Sequence, residues 1–196
     1  FGIMSSKPWT YSATEIVEHI NKQNLSAVEV LETHLDRISA TNKVINAVVT
    51  VSEETALNQA KDIDKRISKG EKVGPLAGVP IGVKDVTATA GIRTTFGSPL
   101  FADHVPDKDD IIVQRIKEAD GVIIGKTNTP EFATGGNTYN DVFGATRNPW
   151  NTELSAGGST GGGGAGLISG MFPIASGSDL GGSLRIPAAF CGVMGL

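Results

Sequence analysis

The chain has 196 residues, 39% hydrophobic and 19% charged, with 17 basic against 21 acidic side chains and a formal net charge of −4. That length and balance suit one folded domain with a sizeable core and leave no basic surface of the kind nucleic acid requires. No apolar run reaches the roughly 18–20 residues of a membrane span, the opening FGIMSSKPW lacks the layout of a signal peptide, and the single cysteine, Cys191, excludes an internal disulfide framework.

Residues 12 to 23 are predicted helical, because Ser12 and Glu15 form a capping-box pair and Ile16, Val17 and Ile20 share a face. Ser26 and Glu29 repeat the signature, and Val28, Leu31, Leu35 and Ile38 carry a second helix to about residue 40. AVVTV at 47–51 reads as a short strand. Ser52 with Thr55 opens a third helix, with Ala56, Ala60, Ile63 and Ile67 on one face and Gly70 as its C-cap. VPIGVKDV (79–86) and GVIIGK (121–126) are apolar runs ending in lysine. IIVQRIKEA (111–119), capped by Asp109 or Asp110, lies between them as a helix. Strand, helix, strand implies a crossover unit and an α/β sheet. Residues 129 to 157 are rich in Asn, Thr, Gly and Pro and predict at most one short helix, near Pro130–Ala133, then irregular chain. A helix at about 160–170, a strand at 172–177, a Gly-rich turn and a final apolar run follow.

Met4 reads as the natural start, with Phe1 to Ile3 left over from something upstream and residues 1–11 as an N-terminal extension. The ending CGVMGL reads as the interior of a core segment, so the chain is expected to be a truncated single domain.

Chemistry concentrates in residues 157 to 191, where Ser159 and Ser183 each follow a Gly-Gly pair, 24 positions apart. Glycine lets backbone N–H groups approach a ligand closely, and a serine among such donors suits acyl transfer. Residues 157–161 match the nucleophile-elbow pattern GxSxG, but no buried strand leads into them. Gly161, Gly163 and Gly166 fit a dinucleotide pattern that lacks its strand in the same way. His19 and His34 fall on the polar sides of their helices and His104 in a loop, so all three read as surface residues. No pair has metal-ligand spacing. Cys191, in an apolar run, reads as a small buried hydrophobe. Lysine is the other base known for serine, and it serves only when burial keeps it neutral. Lys84 and Lys126 both close apolar segments, and spacing alone does not choose between them. The competing reading of Lys84 is an ion pair with Asp85 or Asp179.

GGSTGGGGAG followed by GSDLGGSLRIPAAFCGVMGL closely resembles the signature of the amidase signature family. GPLAGVPIGVKDV, GIRTTFGS, GKTNTPEF and FGATRNPWN resemble its flanking blocks in order and spacing, so the likeness runs from about residue 12 to the end. The resemblance implies an α/β fold with a mixed central sheet flanked by helices on both faces, present here in its N-terminal part. It implies an amide hydrolase with a Ser–cis-Ser–Lys triad: Ser183 the nucleophile, Ser159 the bridging serine after a cis Gly158–Ser159 bond, and Lys84 the base. Lys126 falls on a position read as structural. Leu180, Gly181, Gly182 and Ser183 would supply the oxyanion N–H donors, Ala133 would line the substrate site, and Asp179 with Arg185 would form a supporting polar network.

The implied substrate is a small carboxylic amide, with no cofactor, no metal and no membrane partner, in a cytoplasmic protein that a homodimer would suit. Two features depart from the family pattern. Thr160 replaces the commoner second serine, and Gly161 to Gly164 replace Ser and Ala at a helix start, where glycine costs up to about 1 kcal/mol per position. The alternative within the family is the catalytic component of a glutamine-dependent tRNA amidotransferase, the one reading that brings in nucleic acid. Ile186, where that component usually has Gln, counts against it. The alternative of another class is a non-catalytic Gly-rich nucleotide-binding module.

Overall fold

A computed structural model describes residues 7–196. The expectations for Phe1 to Ile3 and for Met4 lie outside the described residues. Within the expected extension over 1–11, the described part is packed. Trp9, in a 3-10 turn at Pro8–Thr10, lies 4.4 Å under the Arg37 guanidinium and against Gly170.

Helices α1 (Ala13–Asn21) and α2 (Ala27–Ile45) each begin in a complete capping box, Ser12 with Glu15 and Ser26 with Glu29. α2 runs past residue 40. Asn42 then folds the chain back, its side chain accepting from Ala47 and Val48 N–H and donating to the Val48 carbonyl at the start of β1 (Val48–Val51). The buried stripe of α2 is Ala27, Val30, Leu31, His34 and Ile38. This face is rotated from the expected Val28–Leu31–Leu35–Ile38 line, and it takes His34 into the core, with 0% exposure. The surface reading of His34 is thereby corrected: both neighbouring turns on its stripe are apolar, and its charge state cannot show in the spacing.

Helix α3 (Glu53–Ser68) starts after Ser52, but the Ser52 hydroxyl donates to the Ile123 carbonyl at 2.7 Å instead of capping the helix. Strands β2 (Pro80–Lys84) and β3 (Val122–Thr127) pair in parallel and are buried at every residue, as central strands covered on both faces are. Helix α4 (Ile111–Glu118) makes the crossover between them. Neither Asp109 nor Asp110 caps α4 through its side chain. Their carboxylates accept from Ala90 and Ala88 N–H and pin the preceding loop.

The segment expected to be irregular after a short helix holds a 3-10 turn at Glu131–Ala133 and four short strands. β4 (Tyr139–Asn140) pairs with β5 (Gly144–Ala145), and β6 (Arg147–Asn148) with β7 (Asn151–Ser155). Side-chain carbonyls make the turns: Asn140 accepts from Val142 and Phe143 N–H, and Asn148 from Trp150 N–H. Helix α5 (Gly161–Ile168) follows, then β8 (Ile174–Ala175), two residues in place of the expected six. The final apolar run is helix α6 (Arg185–Cys191), with Pro187 in its first turn, where no N–H partner is lost.

The main sheet has the order β1-β3-β2-β8, with β1 antiparallel and the rest parallel. α5 and Phe172 cover the face carrying Gly82, while Ile116 of α4 packs beside Ile81 on the other. The mixed sheet with helices on both faces is as the family resemblance implies. Among the described residues, no helix is long and apolar enough to cross a membrane.

Candidate active site

Lys84 is the last residue of β2 and is 1% exposed. Its Nζ lies 2.7 Å from Ser159 Oγ, 3.0 Å from Thr160 Oγ1 and 3.0 Å from Ser178 Oγ. Among the described residues it has no carboxylate within ion-pair distance, so the expected competitor, a salt bridge to Asp85 or Asp179, does not form. Burial pushes its pKa down to about 8, partly opposed by the field of Asp179.

Lys126 is equally buried and also pushed by burial to about 8, so exposure and titration do not separate the two lysines. Strand register does. Lys126 pairs with Val83 and therefore points to the sheet face opposite Lys84. There it donates to the Thr87 carbonyl and to the Thr89 and Thr94 hydroxyls, a clamp on the loop after β2. Asp85 accepts from Thr95, and burial raises its pKa.

Ser159 is fully buried and follows a cis Gly158–Ser159 peptide. Thr138 braces the turn from both sides, its hydroxyl donating to the Gly157 carbonyl and accepting from Gly161 N–H. On Gly162 a Cβ would lie 2.3 Å from the Asn128 backbone nitrogen, so the start of α5 is glycine because the strand end presses against it. Thr160 N–H donates to the Ser183 carbonyl at 3.1 Å, which brings the Ser183 turn against the Ser159 turn. No hydrogen bond links the Ser159 and Ser183 hydroxyls; the backbone bond through Thr160 connects the two segments.

Ser183 is half-buried at the end of a turn organised by Asp179. The Asp179 carboxylate accepts from Gly182, Leu184 and Arg185 N–H and from the Arg185 guanidinium. That guanidinium, followed by the three N–H groups, holds its pKa far below the usual carboxylate range. Gly182, at φ +115, permits the turn. Its N–H is committed to Asp179 and is not a free oxyanion donor, a correction to the expected set. Leu180 and Gly181 are exposed, and their N–H groups, with that of Ser183, meet no protein acceptor among the described residues.

Ala133 sits in the same loop as Gly135 and Asn137, whose backbone closes on Gly158, and it has the left-handed φ of +58°. His19 stacks on Tyr11 and His104 is exposed beside Phe101. Neither histidine, nor the buried His34, joins the serines. Cys191 is buried with its thiol pushed up to about 11 by burial, as a small hydrophobe is. Sequence reasoning missed Ser178 and the Thr138 brace. Ser178 stands one residue before Asp179 in the quoted block, but nothing in spacing says its hydroxyl turns back to β2.

The molecule is thus an α/β protein with a buried lysine ringed by hydroxyls, next to a turn that carries Ser183 and is tied to it through the Thr160–Ser183 backbone bond. The family model described as Amidase matches residues 29–196, and the chain belongs to this family, the amidase signature enzymes. It is 49% identical over 185 residues to a glutamyl-tRNA(Gln) amidotransferase subunit from Carboxydothermus hydrogenoformans, covering 94% of this chain and 38% of that protein. A bacterial aryl acylamidase of the amidase signature family superposes with a TM-score of 0.88 at 39% identity, covering 91% of this chain and 37% of that one. The structure of 6-aminohexanoate cyclic dimer hydrolase complexed with substrate superposes with a TM-score of 0.87 at 36% identity, covering 95% and 37%.

Proposed function

We propose that this chain carries the reacting centre of an amide hydrolase that cleaves a carboxylic amide to acid and amine or ammonia through an acyl-serine. The observation that carries the reading is a buried lysine with no carboxylate partner among the described residues, 2.7 Å from Ser159 Oγ. Neutral Lys84 takes the Ser159 proton as Ser159 takes the Ser183 proton, and Ser183 Oγ bonds to the amide carbon. The negative carbonyl oxygen is met by the N–H groups of Leu180, Gly181 and Ser183. The C–N bond breaks as the relay returns the proton to the leaving nitrogen. Water then adds to the acyl carbon by the same route, and Ser183 regains its proton. Ala133 lines the side on which the amide approaches. The partner implied is a small-molecule amide, and the chemistry needs no cofactor.

In the full-length protein that carries this chain, a fluorophosphonate probe is expected to label Ser183 and to leave Ser183→Ala unlabelled. Equal labelling of the variant would remove Ser183 from the mechanism.

A second reading, release of ammonia from glutamine for transfer to a tRNA-bound acid, is supported by the 49% identity to the amidotransferase protein. Ile186 opposes it: its side chain lies against Gly157 and Gly182, an apolar contact where a glutamine side chain would bring an amide. A comparison of glutamine with alkyl and aryl amides, read as ammonia or amine released, separates the two.

A further inference from the structure

Three hydroxyl oxygens face Lys84 Nζ: Ser159, Thr160 and Ser178. A protonated lysine has three donors and no acceptor. The neutral amine has two N–H groups and one lone pair, so with three oxygens around it the direction of the lone pair has to be decided. The Ser178 carbonyl, 3.5 Å from Thr160 Oγ1, gives the threonine hydroxyl proton a direction away from the amine, so the Thr160 oxygen is free to accept from Lys84 Nζ at 3.0 Å. One N–H is thereby assigned. Whichever oxygen takes the second leaves the lone pair to the other.

We infer that Ser178 is a positioning residue for the base: its Oγ and that of Thr160 accept both N–H groups of neutral Lys84, leaving the lone pair on Ser159. The inference rests on the reading of Lys84 as base and adds a residue that the triad does not contain. The backbone around Ser178 fits the role. Ser176 Oγ accepts the Lys84 backbone N–H at 3.2 Å, and Ser176 N–H donates to the Gly82 carbonyl at 2.8 Å. Gly177 has no room for a side chain, since a Cβ there would lie 2.4 Å from Leu184 and 2.6 Å from Thr160. Asp179 then holds the nucleophile turn. Residues 176 to 179 thus grip the end of β2 on one side and the Ser183 turn on the other.

The charged groups around Lys84 leave this arrangement in control. Asp179, on the loop before α6, is the charge whose field reaches Lys84, and it is paired with Arg185. Lys126 of β3 and Asp85 after β2 are bonded to threonines across the sheet. α5, packed on the same face, carries no ionisable side chain.

The test is the rate at which a fluorophosphonate probe labels Ser183 from pH 6 to 10 in the full-length protein. Removing an acceptor from the ammonium favours the neutral form, so in Ser178→Ala the rising limb should move to lower pH by about half a pH unit. The plateau should fall about ten-fold or more, because the lone pair is no longer held. Ser178→Thr should restore both, and Ser178→Cys, a poorer acceptor of similar shape, should fall between. The position of the limb does not depend on how much protein folds. A limb unmoved in both Ser178→Ala and Ser178→Cys overturns the inference, as does a Ser178→Thr variant that behaves like Ser178→Ala. Lys84→Arg distinguishes the levels. If it abolishes the limb while the Ser178 variants leave theirs in place, the role of Ser178 fails alone. If it keeps the limb, the reading of Lys84 fails first.

Discussion

Replacing Lys84 by arginine keeps a cation and its donors but removes any neutral form, since arginine does not deprotonate in proteins. With Lys84 at about 8, about a tenth of the side chains are neutral at pH 7 and about half at pH 8. A lysine at the ordinary value of 10.5 would be about 0.03% neutral at pH 7, so burial enlarges the working population by about 300-fold. The wild-type labelling rate should therefore rise about five-fold from pH 7 to pH 8 and flatten by pH 9. Lys84→Arg should lose about 10²- to 10⁴-fold in rate and show no rise over that range.

The same displacement has a stability signature. Between pH 8 and 10.5 the unfolded chain binds a proton that native Lys84 does not, so stability rises with pH across that window. Lys84 alone accounts for up to about 3 kcal/mol of that rise. Fluorophosphonate labelling of the full-length protein, followed as rate against pH, measures the first effect, and urea midpoints at pH 8 and 10 the second. A wild-type rate that stays flat from pH 6 to 9, or a Lys84→Arg variant that retains the rise, would refute the reasoning.

Gly162→Ala should cost about 3 kcal/mol or more, because its Cβ would meet backbone atoms of Asn128 and Ala47 that cannot move aside. Gly136→Ala, with nothing within 4 Å, should be near neutral; thermal or urea unfolding of the two decides it. Burial lowers the pKa of His34, so the unfolded chain takes up a proton first as pH falls below about 6.5. Wild-type stability should then drop by up to about 1.4 kcal/mol per pH unit from this group, and His34→Leu should be measurably less acid-sensitive; parallel losses in the two proteins would remove His34 from the account. Cys191, buried with its thiol near 11, should resist a thiol reagent in the native protein and react promptly in urea.

Much of this molecule is legible in local pattern. Ser12–Glu15 and Ser26–Glu29 announce α1 and α2 because capping is satisfied within four residues of chain. The apolar runs at 79–86 and 121–126 announce the two central strands, and the blocks around Ser159 and Ser183 announce the family. What local pattern misjudges are groups whose partners lie far along the chain. The Ser52 hydroxyl goes to Ile123, not to its own helix, and Asp109 and Asp110 serve the loop at 88–90 in place of α4. His34 reads as a surface residue by its own polarity, and it is buried by the face that α2 presents to the core.

The α/β class, the order of the principal elements and the small set of hydroxyls and lysines from which a centre is built are all written in the sequence. They follow from periodicity and from side chains acting within a few residues. Spacing left the two buried lysines unranked and the family resemblance pointed to Lys84; the physical difference between them is tertiary, because strand pairing sends Lys126 to the face opposite Lys84. Folding also brought Ser178 and Thr160 onto Lys84 across more than 70 residues, and turned Gly182 N–H away to Asp179. One cause is common to these cases. A hydrogen bond is short and directional, so which groups meet at a site depends on the register of strands and the path of turns.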